Sequence, residues 1–219
     1  STVAGAVTIT GGLFTQSAAK RAINFEGIVT AAVSISGATA SSGDNGIAIA
    51  DLRAPLTISN AAATSTAANG LAIVAMAAAT SISISGGTFT GDDRGMYFGA
   101  VDAGTTIAIS GATLVATGSV AAALEFTGTV AAAVTIAGGS FSQPNAAQNG
   151  ILFTGGVMAA VVISSATVSS GHTAINFNDL QAPLTLTNVA ATASTAGNGL
   201  TLTTISAAAT LISISGGSF

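Results

Sequence analysis

A three-residue word, aliphatic then small then aliphatic, recurs nine times along this 219-residue chain. It stands as Val7-Thr-Ile9, Val33-Ser-Ile35, Leu56-Thr-Ile58, Ile82-Ser-Ile84, Ile107-Ala-Ile109, Val134-Thr-Ile136, Val161-Val-Ile163, Leu184-Thr-Leu186 and Ile212-Ser-Ile214. Successive copies begin 26, 23, 26, 25, 27, 27, 23 and 28 residues apart. A sustained period of this length restricts the chain to repeat architectures. Alternation with period two places both aliphatic residues on one face of a strand and the small residue on the other.

Four residues after each word begins stands Gly11, Gly37, Asn60, Gly86, Gly111, Gly138, Ser165, Asn188 or Gly216. Gly and Asn most readily take left-handed backbone angles, so this column predicts a corner, with Ser165 the one departure. Three residues further come Phe14, Ala40, Ala63, Phe89, Leu114, Phe141, Val168, Ala191 and Phe219. All are apolar and are expected to point inward, with Phe14, Phe89, Leu114, Phe141, Val168 and Phe219 as the bulky members of a core stack. A second word follows each corner: Ile23-Asn-Phe25, Ile47-Ala-Ile49, Leu71-Ala-Ile73, Met96-Tyr-Phe98, Leu124-Glu-Phe126, Ile151-Leu-Phe153, Ile175-Asn-Phe177 and Leu200-Thr-Leu202. It is always preceded by Ala or Gly. Each repeat therefore carries two clear strands and a shorter middle one.

Three short strands in 23–28 residues make one rung of an all-β, parallel β-helix, or β-solenoid, of eight to nine rungs. Propeller blades need about 40–50 residues, which is too many. A leucine-rich repeat has a suitable length, but no unit contains a convincing helix and the columns are Ile, Val and Phe. Parallel crossovers are right-handed in nearly all known cases, so a right-handed coil is expected. Gly150-Ile-Leu-Phe153 leading to Val161, and Ile82-Ser-Ile-Ser-Gly-Gly-Thr-Phe89, resemble the right-handed parallel β-helix repeats of bacterial cell-surface proteins, of the adhesin-passenger and fibrous type. The resemblance covers residues 7–219. It implies this coil, and it leaves adhesins, filament proteins and pectin-degrading enzymes as functions the same coil serves.

A second period lies above the first. Phe14-Thr-Gln matches Phe141-Ser-Gln, Asp51-Leu-Arg-Ala-Pro55 matches Asp179-Leu-Gln-Ala-Pro183, and Leu56-Thr-Ile-Ser-Asn60 matches Leu184-Thr-Leu-Thr-Asn188. The super-repeat is five rungs, 127–130 residues long. One copy runs from about 7 to 133 and a partial copy from 134 to 219, as one solenoid segment. The word Ile82-Ser-Ile-Ser-Gly-Gly87 returns at 212–217, and its interruption at Phe219 predicts a segment of a longer array.

Only 5% of the residues are charged, with a net charge of −4. There is no basic surface for nucleic acid. The longest apolar run, Leu71–Ala79, is far shorter than the roughly 20 residues of a spanning helix. Without Cys there are no disulfides or thiolate metal sites. Lys20, Arg21, Asp44, Asp92, Asp93, Arg94 and His172 fall in the first variable turn, and Glu26, Asp51, Arg53, Asp102 and Asp179 follow the second word. Glu125 alone lies mid-strand, pointing outward. A lyase or hydrolase needs acids and a His or Arg within reach of one substrate. Asp92-Asp93 and Gly171-His172 lie three rungs apart, about 14 Å at strand spacing. The charges also change between the two copies, save Asp51 and Asp179, which are expected to bond within their own turns. No catalytic, cofactor-binding or metal-binding residues are therefore assigned.

The outward positions beside the first word form two columns of hydroxyls: Thr8 and Thr10, Ser34 and Ser36, Thr57 and Ser59, Ser83 and Ser85, Thr185 and Thr187, with gaps at Ala108, Ala137 and Val162. This flat, uncharged ladder resembles the Thr arrays of ice-binding solenoids. It is also what a plain solvated sheet carries. A glycan-binding adhesin would show aromatic platforms, whereas Tyr97 is the only Tyr and Trp is absent. The expected role is non-enzymatic: an extracellular shaft or filament subunit that associates with itself end to end or laterally, with ice or glycan binding as alternatives.

Overall fold

A computed structural model of the chain describes residues 1–17, 19–77, 80–194, 197–207 and 211–219. The strands among them assemble into three parallel sheets, stacked as a β-solenoid of about eight turns. Sheet B collects the nine recurring words, from Val7–Thr10 to Ile212–Ser215. Sheet C holds eight short strands, from Leu13–Thr15 to Ala190–Ala193. Sheet A holds nine, from Thr2–Val3 to Leu200–Ile205, and includes the second words. The chain passes from B to C at the corner, from C to A through a variable turn, and from A to the next B strand.

Pairing follows the period read from the sequence. Ile84 lies opposite Ile58 below and Ile109 above, and Ser83 lies opposite Thr57 and Ala108. Identical positions thus stack into columns along the axis. In sheet B both aliphatic columns are buried from Val33 through Leu186. In sheet C, Phe89, Leu114, Phe141 and Val168 are fully buried, and Phe14 in the first rung is partly buried against the core. The Ala190–Ser218 bridge carries the same register to Phe219, which is 49% exposed. In sheet A the rings of Phe98, Phe126, Phe153 and Phe177 stack face to face with centroids 4.9, 4.6 and 4.5 Å apart. That spacing is close to the strand separation of about 4.8 Å, so the ladder itself sets the ring stacking. A further inward column, Val29, Leu52, Met76, Val101, Val130, Val157 and Leu180, closes the end of sheet A and was not evident from the words alone. Each such side chain contributes about 1.5–3 kcal/mol on full burial.

The corner column takes left-handed angles at every one of its nine positions, with φ from 49° at Asn60 to 71° at Gly138. Ser165, the residue that departs from the Gly/Asn pattern, adopts φ 53° with the rest. Its N–H still donates to Thr187 O at 2.9 Å, as Gly37 N–H does to Ser59 O at 2.9 Å. One left-handed residue therefore bends the rung without breaking the ladder, and tertiary context imposes that angle even on Ser.

The residue after the corner divides the rungs into two kinds. Gly12, Gly87, Gly139 and Gly217 also have positive φ, and Phe14, Phe89, Phe141 and Phe219 follow them. The other rungs place Ala38, Ala61, Ala112, Ala166 or Val189 there, followed by Ala, Leu or Val. A Cβ built at Gly12 or Gly139 would lie 3.2 or 3.4 Å from Cε2 of the following Phe. At Gly87, Gly139 and Gly217 a Cβ would also meet the backbone of the preceding rung, at Ala61, Ala112 and Val189. Double-glycine corners fall in rungs one, four, six and nine, and sheet A shifts register at Phe25/Ile28 and at Phe153/Gly156, both at five-rung intervals.

These corners make a graded prediction. At Gly111 nothing lies within 4 Å of a Cβ, so Gly111→Ala should cost only the left-handed strain, about 1–2 kcal/mol. At Gly87, φ is 87° and a Cβ would meet the Ala61 carbonyl oxygen. Gly87→Ala should cost about 3 kcal/mol or more. Urea denaturation of the two variants checks the order; equal losses would contradict the packing account.

Candidate functional site

Three outer surfaces could carry function, and each is built by the stacking of columns. On sheet B the first outward column runs Thr8, Ser34, Thr57, Ser83, Ala108, Thr135, Val162, Thr185, Ser213 in strict register. The second runs Thr10, Ser36, Ser59, Ser85, Ser110, Ala137, Ser164, Thr187, Ser215. The hydroxyl positions read from the sequence thus lie side by side on one face. The contacts these hydroxyls make among the described residues are long: Ser110 Oγ to Ile84 O at 3.5 Å, Ser164 Oγ to Ile136 O at 3.5 Å, and Ser215 Oγ to Thr187 Oγ1 at 3.4 Å. Most of their donor and acceptor capacity is turned outward.

Sheet C carries a second hydroxyl face. Its outward columns contain Thr39, Thr88, Thr113, Ser140 and Thr167, and beside them Thr15, Ser41, Thr64, Thr90, Ser142, Ser169 and Thr192. The signal for it was the same period-two alternation on either side of the inward Phe14–Phe219 column. The shortness of these strands concealed it.

Every charged side chain lies outside sheets B and C, in sheet A or in the turns around it. Several are joined in one hydrogen-bonded seam along the entry to sheet A. Arg21 donates from Nε to Asp44 Oδ2 at 3.1 Å and from Nη1 to Asn24 Oδ1 at 3.4 Å, and Asn24 Nδ2 donates to Glu26 Oε1 at 2.8 Å. Asn45 Nδ2 donates to Asp44 Oδ1 at 2.8 Å, and Asn69 Nδ2 donates to Asn45 Oδ1 at 2.8 Å. Arg94 continues the seam, reaching Asn69 Oδ1 at 3.5 Å and Glu125 Oε2 at 2.5 Å, with its guanidinium 5.0 Å from the Tyr97 ring centroid. Glu125 is outward, as its mid-strand place required, yet Arg94 and Tyr97 leave its side chain only 7% exposed. The signal for this seam is the Asn-Gly or Arg-Gly pair before the second word, at Asn45, Asn69 and Arg94.

Inside the same corner a buried polar column pins the turns. Ser42 Oγ donates to Asp44 O at 2.8 Å, and Ser65 Oγ accepts from Ala68 N–H at 2.8 Å. Gln143, fully buried, donates to Gly118 O at 3.0 Å and accepts from Asn145 N–H at 3.0 Å. At the other end of sheet A, Arg53 clasps Asp51 with contacts of 2.7–3.1 Å, and Gln181 Nε2 donates to Asp179 Oδ2 at 2.5 Å. The two Asp residues therefore bond two residues along the chain to a side chain rather than to their own backbone. The hydrogen bond and charge of Asp51 hold the Arg53 guanidinium above its ordinary pKa.

The residues suggestive of hydrolysis are not brought together. Asp92 and Asp93 precede sheet A in rung four, whereas His172 lies exposed in rung seven with its Nδ1 3.1 Å from Thr173 Oγ1. Among the described residues no three His, Asp or Glu side chains converge. Among the described residues no helix is long and apolar enough to cross a membrane. No protein-family model matches the chain, and no curated protein or solved structure shows significant similarity to it.

The seam differs in strength along its length. Arg94→Ala removes a charge-assisted hydrogen bond to a carboxylate that Tyr97 still partly covers, so it should cost about 1.5–3 kcal/mol. Arg21 is 40% exposed at its pair with Asp44, so Arg21→Ala should cost under about 1 kcal/mol. Chemical denaturation of both variants measures the difference.

Proposed function

We propose that the chain is a non-enzymatic structural solenoid, the shaft or repeating subunit of an extracellular filament or large surface protein that stacks end to end or packs side by side. The observation that carries this reading is the division of the exterior. Two of the three sheets present uncharged hydroxyl columns, and the charged groups are drawn to the third sheet and its turns, where six of the twelve pair with one another. A rod with so few free charges has little electrostatic repulsion to keep its neighbours apart. Its core is a stack of nearest-neighbour contacts, so length is gained by adding rungs without redesigning the interior. Placement at a cell surface rests on the resemblance of the rungs to β-helix surface proteins.

Electron micrographs of the intact protein should show rods that associate into filaments or bundles. Fields of isolated globular particles would overturn the reading. A second reading, ice binding, is favoured by one observation: the hydroxyl columns of sheet B keep register over nine strands. It requires thermal hysteresis in dilute solution. A glycan-binding adhesin is less well supported, because Arg94 lies over the ring of the only Tyr.

A further inference from the structure

We infer that the outer face of sheet B is the surface through which two copies of this chain pack side by side. This rests on the structural reading above and names the face it uses. Three observations select sheet B. Its nine strands, like the eight of sheet C, pair without any register irregularity, whereas sheet A shifts register twice. Its paired outward positions are all Ser, Thr, Ala or Val. Beside it lie the corner it shares with sheet C on one side and, on the other, three-residue turns at 30–32, 53–55, 158–160 and 181–183 with longer connections at 102–105 and 127–132. Sheet C is flanked instead by the longer loops 117–123 and 144–150. Gln143 and Asn145 tie these together, and Val120 stands 66% exposed in the first of them.

The chemistry of the face points to a second copy of itself. A hydroxyl both donates and accepts, so a surface of Ser and Thr is complementary to an identical surface. A surface of Lys or of Asp is not. A two-fold relation sets the same patch of each copy against the other. Small side chains on regularly stacked strands let two such sheets approach closely. Nine strands at about 4.8 Å give a face about 40 Å long and about 13 Å wide, on the order of 500 Å² per copy. That is at the lower bound for a specific interface, so pairing of single chains is weak and strengthens with each additional aligned rung. No charge takes part, and salt should leave it unchanged.

Sedimentation equilibrium of the whole chain at rising concentration, in low and high salt, tests this. The expected result is a reversible, salt-insensitive dimer. The pair Ser34→Lys and Thr135→Lys, on sheet B, should raise its dissociation constant on the order of a hundredfold. Circular dichroism and melting should stay as in the wild type. The matched pair Ser41→Lys and Ser142→Lys, on sheet C, should leave the dimer intact. Ser83→Lys alone serves if the first pair does not fold. Loss of dimer only in the sheet C pair would overturn the choice of face and leave side-by-side packing standing. A wild type that stays monomeric overturns the inference, while rods in electron micrographs would still support the structural reading. A monomer whose thermal hysteresis is abolished by the sheet B pair would reassign the face to ice.

Discussion

The backbone ladder between rungs is the constraint on which everything else depends. Parallel pairing in register forces each side chain to lie directly above and below its counterparts, at a separation fixed by the hydrogen bonds. A column is therefore decided by its membership as a whole. Phe98, Phe126, Phe153 and Phe177 can stack ring on ring because the ladder holds them at that distance. The same ladder carries through the bends. Gly11, Gly86 and Gly138 each donate to the next rung at 2.7 Å while holding left-handed angles.

The coupling of corner to core shows how local conformation and packing are solved together. A second left-handed Gly is strained for any L-residue, and its loss of Cβ leaves room above it. Phe14 and Phe141 approach that room, whereas Ala38 or Ala112 carries a Cβ in rungs whose core residue is smaller. The exchange is not one of equal volume, since rungs two and three hold Ala at both places, Ala38 with Ala40 and Ala61 with Ala63, where rung four holds Gly87 with Phe89. The corner word is accordingly not uniform along the chain. Rungs with Gly-Gly and rungs with Gly-Ala or Asn-Ala are two solutions to the same cross-section.

The sheets and their inward faces were legible because period-two alternation and a repeated corner leave few alternatives. The words at Val7, Ile23 and their repeats fall on strands, and the corner column holds its angle even at Ser165. What was not legible shares one cause: it depends on neighbours across rungs rather than along the chain. Val29, Leu52 and Met76 lie after the second word at a bulge-prone point, so their alternation is interrupted and the inward column is hidden. Glu125 looks like a solvated strand residue in sequence, and only the stacking of Tyr97 beneath it and the reach of Arg94 show that it is covered.

Division of the exterior follows from the same geometry. A solenoid's core uses alternate positions of every strand, which frees the others from any duty to the fold. In sheet A those positions hold Asn24 and Glu125, with Arg94 at the entry of its strand, and the seam they help form ties rung to rung from outside. In sheets B and C they hold hydroxyls that make few contacts within the chain. Small β-compatible residues would suffice for a solvated face, and a scatter of Lys and Glu would serve solubility better. Charges are plainly compatible with the fold, since sheet A carries them on the same strand geometry. Their absence from two sheets is the observation on which the proposed side-by-side packing rests, because a neutral surface able both to donate and to accept can match another of its own kind.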